Sequence, residues 1–134
     1  MVSQTPNLTT PPSRDRHPSD QDGARRHLLT VNVEDYFQVG VFQKFISADN
    51  WYRFEPRLQQ NIESVLQLLD QYNTKATFFV LGWTAEKEPG LVRSLIDAGH
   101  EVASRGFLHQ PLLTLPKEQI REDLRKSKRI LEEV

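Results

Sequence analysis

Apolar residues recur along this chain in two alternating rhythms. Three short runs, L-L-T-V-N-V (Leu28–Val33), K-A-T-F-F-V-L (Lys75–Leu81) and H-E-V-A-S (His100–Ser104), have the length and the β-branched or aromatic content of strands. Between them the spacing lengthens to a helical one. Leu58, Ile62, Val65, Leu66 and Leu69 form an apolar stripe that predicts a helix over Arg57–Tyr72. Pro89 suits a first helical turn, Leu91, Val92, Leu95 and Ile96 supply a buried face, and Gly99 suits the C-terminal cap. A last helix opens at Thr114-Leu115-Pro116 and carries Ile120, Leu124, Leu131 and Val134. The stretch from Glu34 to Pro56 follows neither period. It is rich in aromatic residues (Phe45, Trp51, Tyr52, Phe54) and reads as a loop or short helix covering one barrel end.

The resulting order is β-α-β-α-β-α with short connections, which implies right-handed crossovers and a parallel sheet. The first two strands are apolar enough to be buried on both faces, as parallel strands are. Only Asn32 interrupts them, a residue that is poor in strands and costly to bury unpaired. Three strands would leave two open edges and an exposed strand face. The expectation is therefore an α/β fold with a parallel sheet, cut off after about three β/α units. Residues 1–27 are dominated by Pro, Ser, Thr and mixed charge, and read as a disordered leader before a domain over 28–134.

Composition narrows the function classes. A net charge of −1 gives no electrostatic case for nucleic acid or an anionic membrane. With no cysteine, disulfides and thiolate metal sites are excluded. No run approaches the roughly 18–20 apolar residues of a membrane span. The N-terminus has no signal-peptide-like apolar core, so the default expectation is a cytoplasmic protein.

Chemistry-bearing residues concentrate at two strand ends, where α/β folds place their sites. V-N-V-E-D-Y-F (Val31–Phe37) brings two adjacent acids, Glu34 and Asp35, to the end of the first strand. H-E-V-A-S-R-G-F-L-H (His100–His109) ends in a glycine-containing loop that carries Arg105 and His109. His100 follows a helix cap and is expected to cap or pack.

Taken together, V-N-V-E-D-Y-F-Q-V (Val31–Val39), K-A-T-F-F-V-L-G-W (Lys75–Trp83) and A-G-H-E-V-A-S-R-G-F-L-H (Ala98–His109) resemble the polysaccharide deacetylase (NodB homology) family. Within it they most resemble the subgroup with an Asp-Val-Glu-Asp-Tyr-Phe-type first motif that is linked to exopolysaccharide synthesis. The resemblance implies a distorted (β/α) barrel. It also implies metal-dependent hydrolysis of N-acetyl groups on the amino sugars of a polysaccharide or oligosaccharide. A divalent metal, typically zinc, would be held by one acid and two histidines spaced i and i+4, and a second acid would act as base.

Carried over residue by residue, the base position falls on Asn32, which has no basic lone pair. The acidic ligand falls on Glu34 or Asp35, and the histidine pair on Arg105 and His109. Arg105 stays charged, cannot ligate a metal and is expected to pair with Glu34 or Asp35 in the metal's place. Tyr36 and Trp51 are candidates for stacking on a sugar ring. The reading is thus a family member impaired at Asn32 and Arg105 and by truncation. Two alternatives remain: a non-catalytic carbohydrate-binding or regulatory protein on the same scaffold, and a related linear-amide hydrolase.

Overall fold

The structure is a computed structural model that describes residues 27–134, so the leader expected over 1–27 lies, but for His27, outside the described residues. Three parallel strands, β1 (Thr30–Val33), β2 (Thr77–Val80) and β3 (Glu101–Ser104), pair in the order β1-β2-β3. Val33, Val80 and Ser104 share one register line at their C-terminal ends. The helices are α1 (Leu58–Gln71), α2 (Gly82–Lys87), α3 (Pro89–Asp97) and α4 (Lys117–Glu133). Sequential strand order with right-handed crossovers puts the connecting helices on one side of the sheet, as in a barrel wall rather than a doubly wound sheet.

The core lies between that side and the helices. Val33, Phe78 and Val80 of the strands pack with Leu58, Ile62 and Leu69 of α1 and with Leu91, Val92 and Leu95 of α3. Val65 and Leu66 contribute partly buried surface. Ile96, read from the sequence as part of α3's buried face, is 48% exposed. It lies on the last turn of α3, at the margin of the face that Leu91, Val92 and Leu95 bury.

The opposite face of the sheet corrects the expectation of strands buried on both sides. Thr30, Asn32 and Glu101 are exposed there, and Thr77, Phe79 and Ala103 only half-buried. That face would be the interior of a closed barrel, and three strands alone do not close one. Asn32 stands on it in register with Phe79, so it is not a buried polar group needing a partner.

Helix α2 was not legible in the sequence. Its six residues are too few to show a helical period, and its neighbour α3 begins at once with Pro89. The Glu34–Pro56 stretch forms three short 3₁₀ turns, Tyr36–Gln38, Gly40–Phe42 and Ala48–Arg53. They build a second aromatic cluster in which Phe37, Trp51 and Leu81 are buried and Phe54 and Trp83 pack around them. Trp51 meets Trp83 edge-on at 5.1 Å between ring centroids.

His100 packs, as its position beside the α3 cap suggests. The chain leaves α3 through Gly99 at φ +76°, and the His100 N–H closes the turn on the Leu95 carbonyl. The imidazole is buried, edge-on to Phe78, and its Nδ1 accepts the Ala76 N–H at 3.2 Å. Burial first, and then the nearby Lys75 ammonium, hold the ring below its ordinary pKa of 6.5. The folded state therefore prefers the neutral ring, and below that value the unfolded chain binds the extra proton. This contribution to stability is complete above pH 6.5 and is lost progressively below it, as pH falls toward the lower value of the folded ring. Urea midpoints measured from about pH 7.5 down to 5.5 should fall in the native chain and fall less in His100→Gln, which keeps an acceptor but does not titrate. An equal fall in both would assign the pH dependence elsewhere.

Candidate functional site

The C-terminal ends of β1 and β3, two strands apart across β2, bring Glu34, Arg105 and His109 together. One residue past each strand, the backbone still follows strand alternation, which directs Glu34 to the face of Asn32. Arg105 Nη1 lies 2.9 Å from Glu34 Oε1, an ion pair whose side chains are 23% and 14% exposed. Arg105 Nη2 lies 3.2 Å from His109 Nε2. His109 Nδ1 lies 2.9 Å from the Gln38 carbonyl and 3.1 Å from Glu34 Oε2.

These contacts fix the roles of the two imidazole nitrogens. A guanidinium only donates, so His109 Nε2 accepts from it and the Nδ1–H donates to the Gln38 carbonyl. A backbone carbonyl on Nδ1 with the Nε2 lone pair pointing outward is the arrangement of a metal-ligating histidine. Here that lone pair is taken by an N–H of Arg105. The carboxylate that would share the ion is paired with the same guanidinium.

Asp35, adjacent in sequence, is used differently. Its Oδ1 accepts the Tyr36 N–H at 2.9 Å, and its Oδ2 accepts the N–H groups of Arg57 at 2.7 Å and Leu58 at 3.1 Å. The carboxylate is buried and caps the start of α1 from twenty-two positions up the chain. Of the two acids, Glu34 therefore faces Arg105 and His109, while Asp35 joins the aromatic loop to α1. Sequence adjacency could not separate them, because opposite sides of a strand end have different neighbours.

The two aromatic candidates also part company. Trp51 is only 4% exposed, enclosed by Phe37 and Trp83, which corrects its assignment to sugar stacking. Tyr36 is 42% exposed, but the Arg57 guanidinium lies 5.3 Å from its ring centroid. Gln38, not singled out from the sequence, is buried and contributes to the site through its carbonyl. Gln43 reaches back to the His109 carbonyl with its side-chain amide. Neither follows any hydrophobic period, so nothing in the sequence pattern marked them.

The donor set does not fit a metal ion. Glu34 and His109 could supply two ligands, but Arg105, a fixed cation, ion-pairs with the first and hydrogen-bonds the second. Among the described residues no group of three or more His, Cys, Asp or Glu side chains converges.

A (β/α)-type sheet with an acid after the first strand and a loop histidine after the third defines a class. The polysaccharide deacetylase family model matches residues 46–134, and the chain belongs to that family. Deacetylases of this family are generally metal-dependent. A peptidoglycan-N-acetylglucosamine deacetylase of Bacillus cereus is 36% identical over 67 residues, covering 50% of this chain and 24% of the relative. The peptidoglycan-N-acetylmuramic acid deacetylase of Bacillus subtilis is 29% identical over 108 residues, covering 77% of this chain and 38% of the relative. The chain thus spans well under half the length of these relatives.

Among solved structures, a putative polysaccharide deacetylase from Mycobacterium smegmatis superposes with a TM-score of 0.64 at 30% identity, over 80% of this chain and 38% of that one. A mutant of a CE4 family pseudoenzyme with restored enzymatic activity matches with a TM-score of 0.54 at 28% identity, over 55% of this chain and 27% of that one.

Proposed function

We propose that residues 28–134 form the N-terminal part of a polysaccharide deacetylase domain whose ancestral reaction is hydrolysis of N-acetyl groups on the amino sugars of a polymer, and that this copy does not catalyse it. The carrying observation is the Arg105 guanidinium, which ion-pairs with Glu34 and hydrogen-bonds His109 where a zinc ion would need their electron pairs. Asn32 removes the base as well, since its amide has no proton-accepting function at neutral pH. In this reading Glu34 and His109 are former ligands, Arg105 holds them in place of the ion, and Asp35 serves the scaffold. The peptidoglycan and chitooligosaccharide deacetylases among the relatives support an N-acetylglucosamine-type polymer as the ligand class. The V-N-V-E-D-Y-F stretch supports the exopolysaccharide-linked subgroup.

The test is turnover of an N-acetylglucosamine oligomer by the unchanged chain, read as acetate released with and without a chelator. We expect no release above the buffer rate. Release that a chelator abolishes would refute the reading, since it requires a metal at a site that Arg105 fills.

A further inference from the structure

We infer that Asp123, on α4, is a positioning residue for the Arg105–His109 pair: its carboxylate holds the loop that sets the spacing and direction of those two side chains. The inference deepens the proposed function and rests on its reading of positions 105 and 109 as the paired ligand positions. The clamp itself can be tested without that reading.

The loop between β3 and the pair's second member presents three successive backbone N–H groups. Gly106 donates to Ser104 Oγ at 3.2 Å, Phe107 to Asp123 Oδ2 at 2.8 Å and Leu108 to Asp123 Oδ1 at 3.2 Å. Successive N–H groups curved in this way make a concave anion-binding surface. Here the anion is the chain's own carboxylate, and both of its oxygens are used.

The loop's carbonyls are held from the other side. Gly106 O accepts the Gly82 N–H at 2.8 Å and the Ser127 hydroxyl at 3.0 Å, and Phe107 O accepts the Trp83 N–H at 3.1 Å. The start of α2 and one face of α4, Asp123 and Ser127 a turn apart, therefore grip the segment between Arg105 and His109.

Close approach is built into the sequence at two glycines. Gly106 has φ +82°, and a Cβ there would stand 2.7 Å from Asp123 Oδ2. A Cβ on Gly82 would stand 3.0 Å from Ser127 Cα. Ser127 is fully buried although α4 is otherwise a largely exposed helix. Toward its C-terminal end the helix packs partly buried Ile130 and Leu131 on the core, and at Asp123 and Ser127 it meets the site loop by polar contacts. Asp123 makes no hydrogen bond or ion pair with Arg105 or His109, so its action on them runs through the backbone of Phe107 and Leu108.

The experiment compares the full chain with Asp123→Ala and Asp123→Asn, and uses Arg125→Ala on the exposed side of α4 as the control. Two readouts follow the loop: hydrogen exchange of the Phe107 and Leu108 amides, and the NMR signals of the His109 ring. In Asp123→Ala both amides should exchange about tenfold faster or more, and the ring signals should move. Asp123→Asn keeps one acceptor oxygen and should fall between it and the native chain. Arg125→Ala should leave both readouts unchanged. Unmoved His109 signals in a folded Asp123→Ala, or in Asp123→Asn should the alanine variant fail to fold, would overturn the inference.

A third readout is zinc affinity in the Asn32→Asp, Arg105→His background, where Asp123→Ala should weaken binding about 10–100-fold. Undiminished affinity would also overturn the positioning role. If that background binds no zinc at all, the ligand reading of 105 and 109 fails, and the His109 signals of the unreverted chain still decide the clamp.

Discussion

An Asn32→Asp, Arg105→His double variant is expected to bind zinc at least about a hundredfold more tightly than the unchanged chain. Loss of an outer-shell partner alone typically costs a site 10–100-fold, and Arg105 removes a ligand while adding a cation. Its guanidinium occupies the His109 Nε2 lone pair at 3.2 Å and the Glu34 carboxylate at 2.9 Å. Replacing it with the shorter, neutral imidazole frees both groups and supplies a third donor at the i, i+4 spacing. The rest of the site is already oriented, because the Gln38 carbonyl holds His109 Nδ1–H. Arg105→His alone should recover most of the affinity. Asn32→Asp alone should recover none, since Arg105 still excludes the ion. Where turnover becomes measurable, restoring the base should add about two to four powers of ten over Arg105→His alone. Isothermal titration with zinc is the direct measurement, and a double variant that folds but does not bind zinc would show that these residues are not a former ligand set.

Asp35→Ala is expected to lose about 3 kcal/mol of stability, several times the effect of Glu34→Ala. The alanine removes both oxygens from three backbone N–H groups, two of them at the buried start of α1. A lost cap alone costs about 1 kcal/mol, and each charge-assisted hydrogen bond left unmade adds to it. For a domain of this size the deficit corresponds to a fall of about 10–20 °C in Tm. Asp35→Asn keeps one acceptor oxygen and should fall between the two. Glu34 by contrast gives up one ion pair, 23% and 14% exposed, on the open side of the sheet, where water can take up the Arg105 charge, so its loss should cost about 1 kcal/mol. Thermal melts of the three variants would settle the division of labour between the adjacent acids. Equal losses for Asp35→Ala and Glu34→Ala would mean that the cap is not what Asp35 contributes.

The Asp35 case shows how far the sequence reaches. It places an acidic pair at the end of a strand, and there its information ends. The choice between Glu34 and Asp35 depends on residues that arrive from elsewhere: Arg57 and Leu58 from the start of α1, Arg105 and His109 from the loop after β3. Trp51 makes the same point for binding. An aromatic residue in an irregular stretch has no period from which burial can be read, and only the packing of Phe37 and Trp83 removes it from the surface.

By itself, the sequence determined the alternation of three strands with helices, the α1 and α3 core faces, and the two strand ends that carry Glu34, Asp35, Arg105 and His109. These are local properties, set by side-chain period and residue type. Only the tertiary structure decided that Glu34 rather than Asp35 meets Arg105 and His109, that Asp35 caps α1, and that Asp123 and Ser127 grip the site loop. Each of those depends on groups far apart in the chain meeting within hydrogen-bonding distance, which no local pattern specifies.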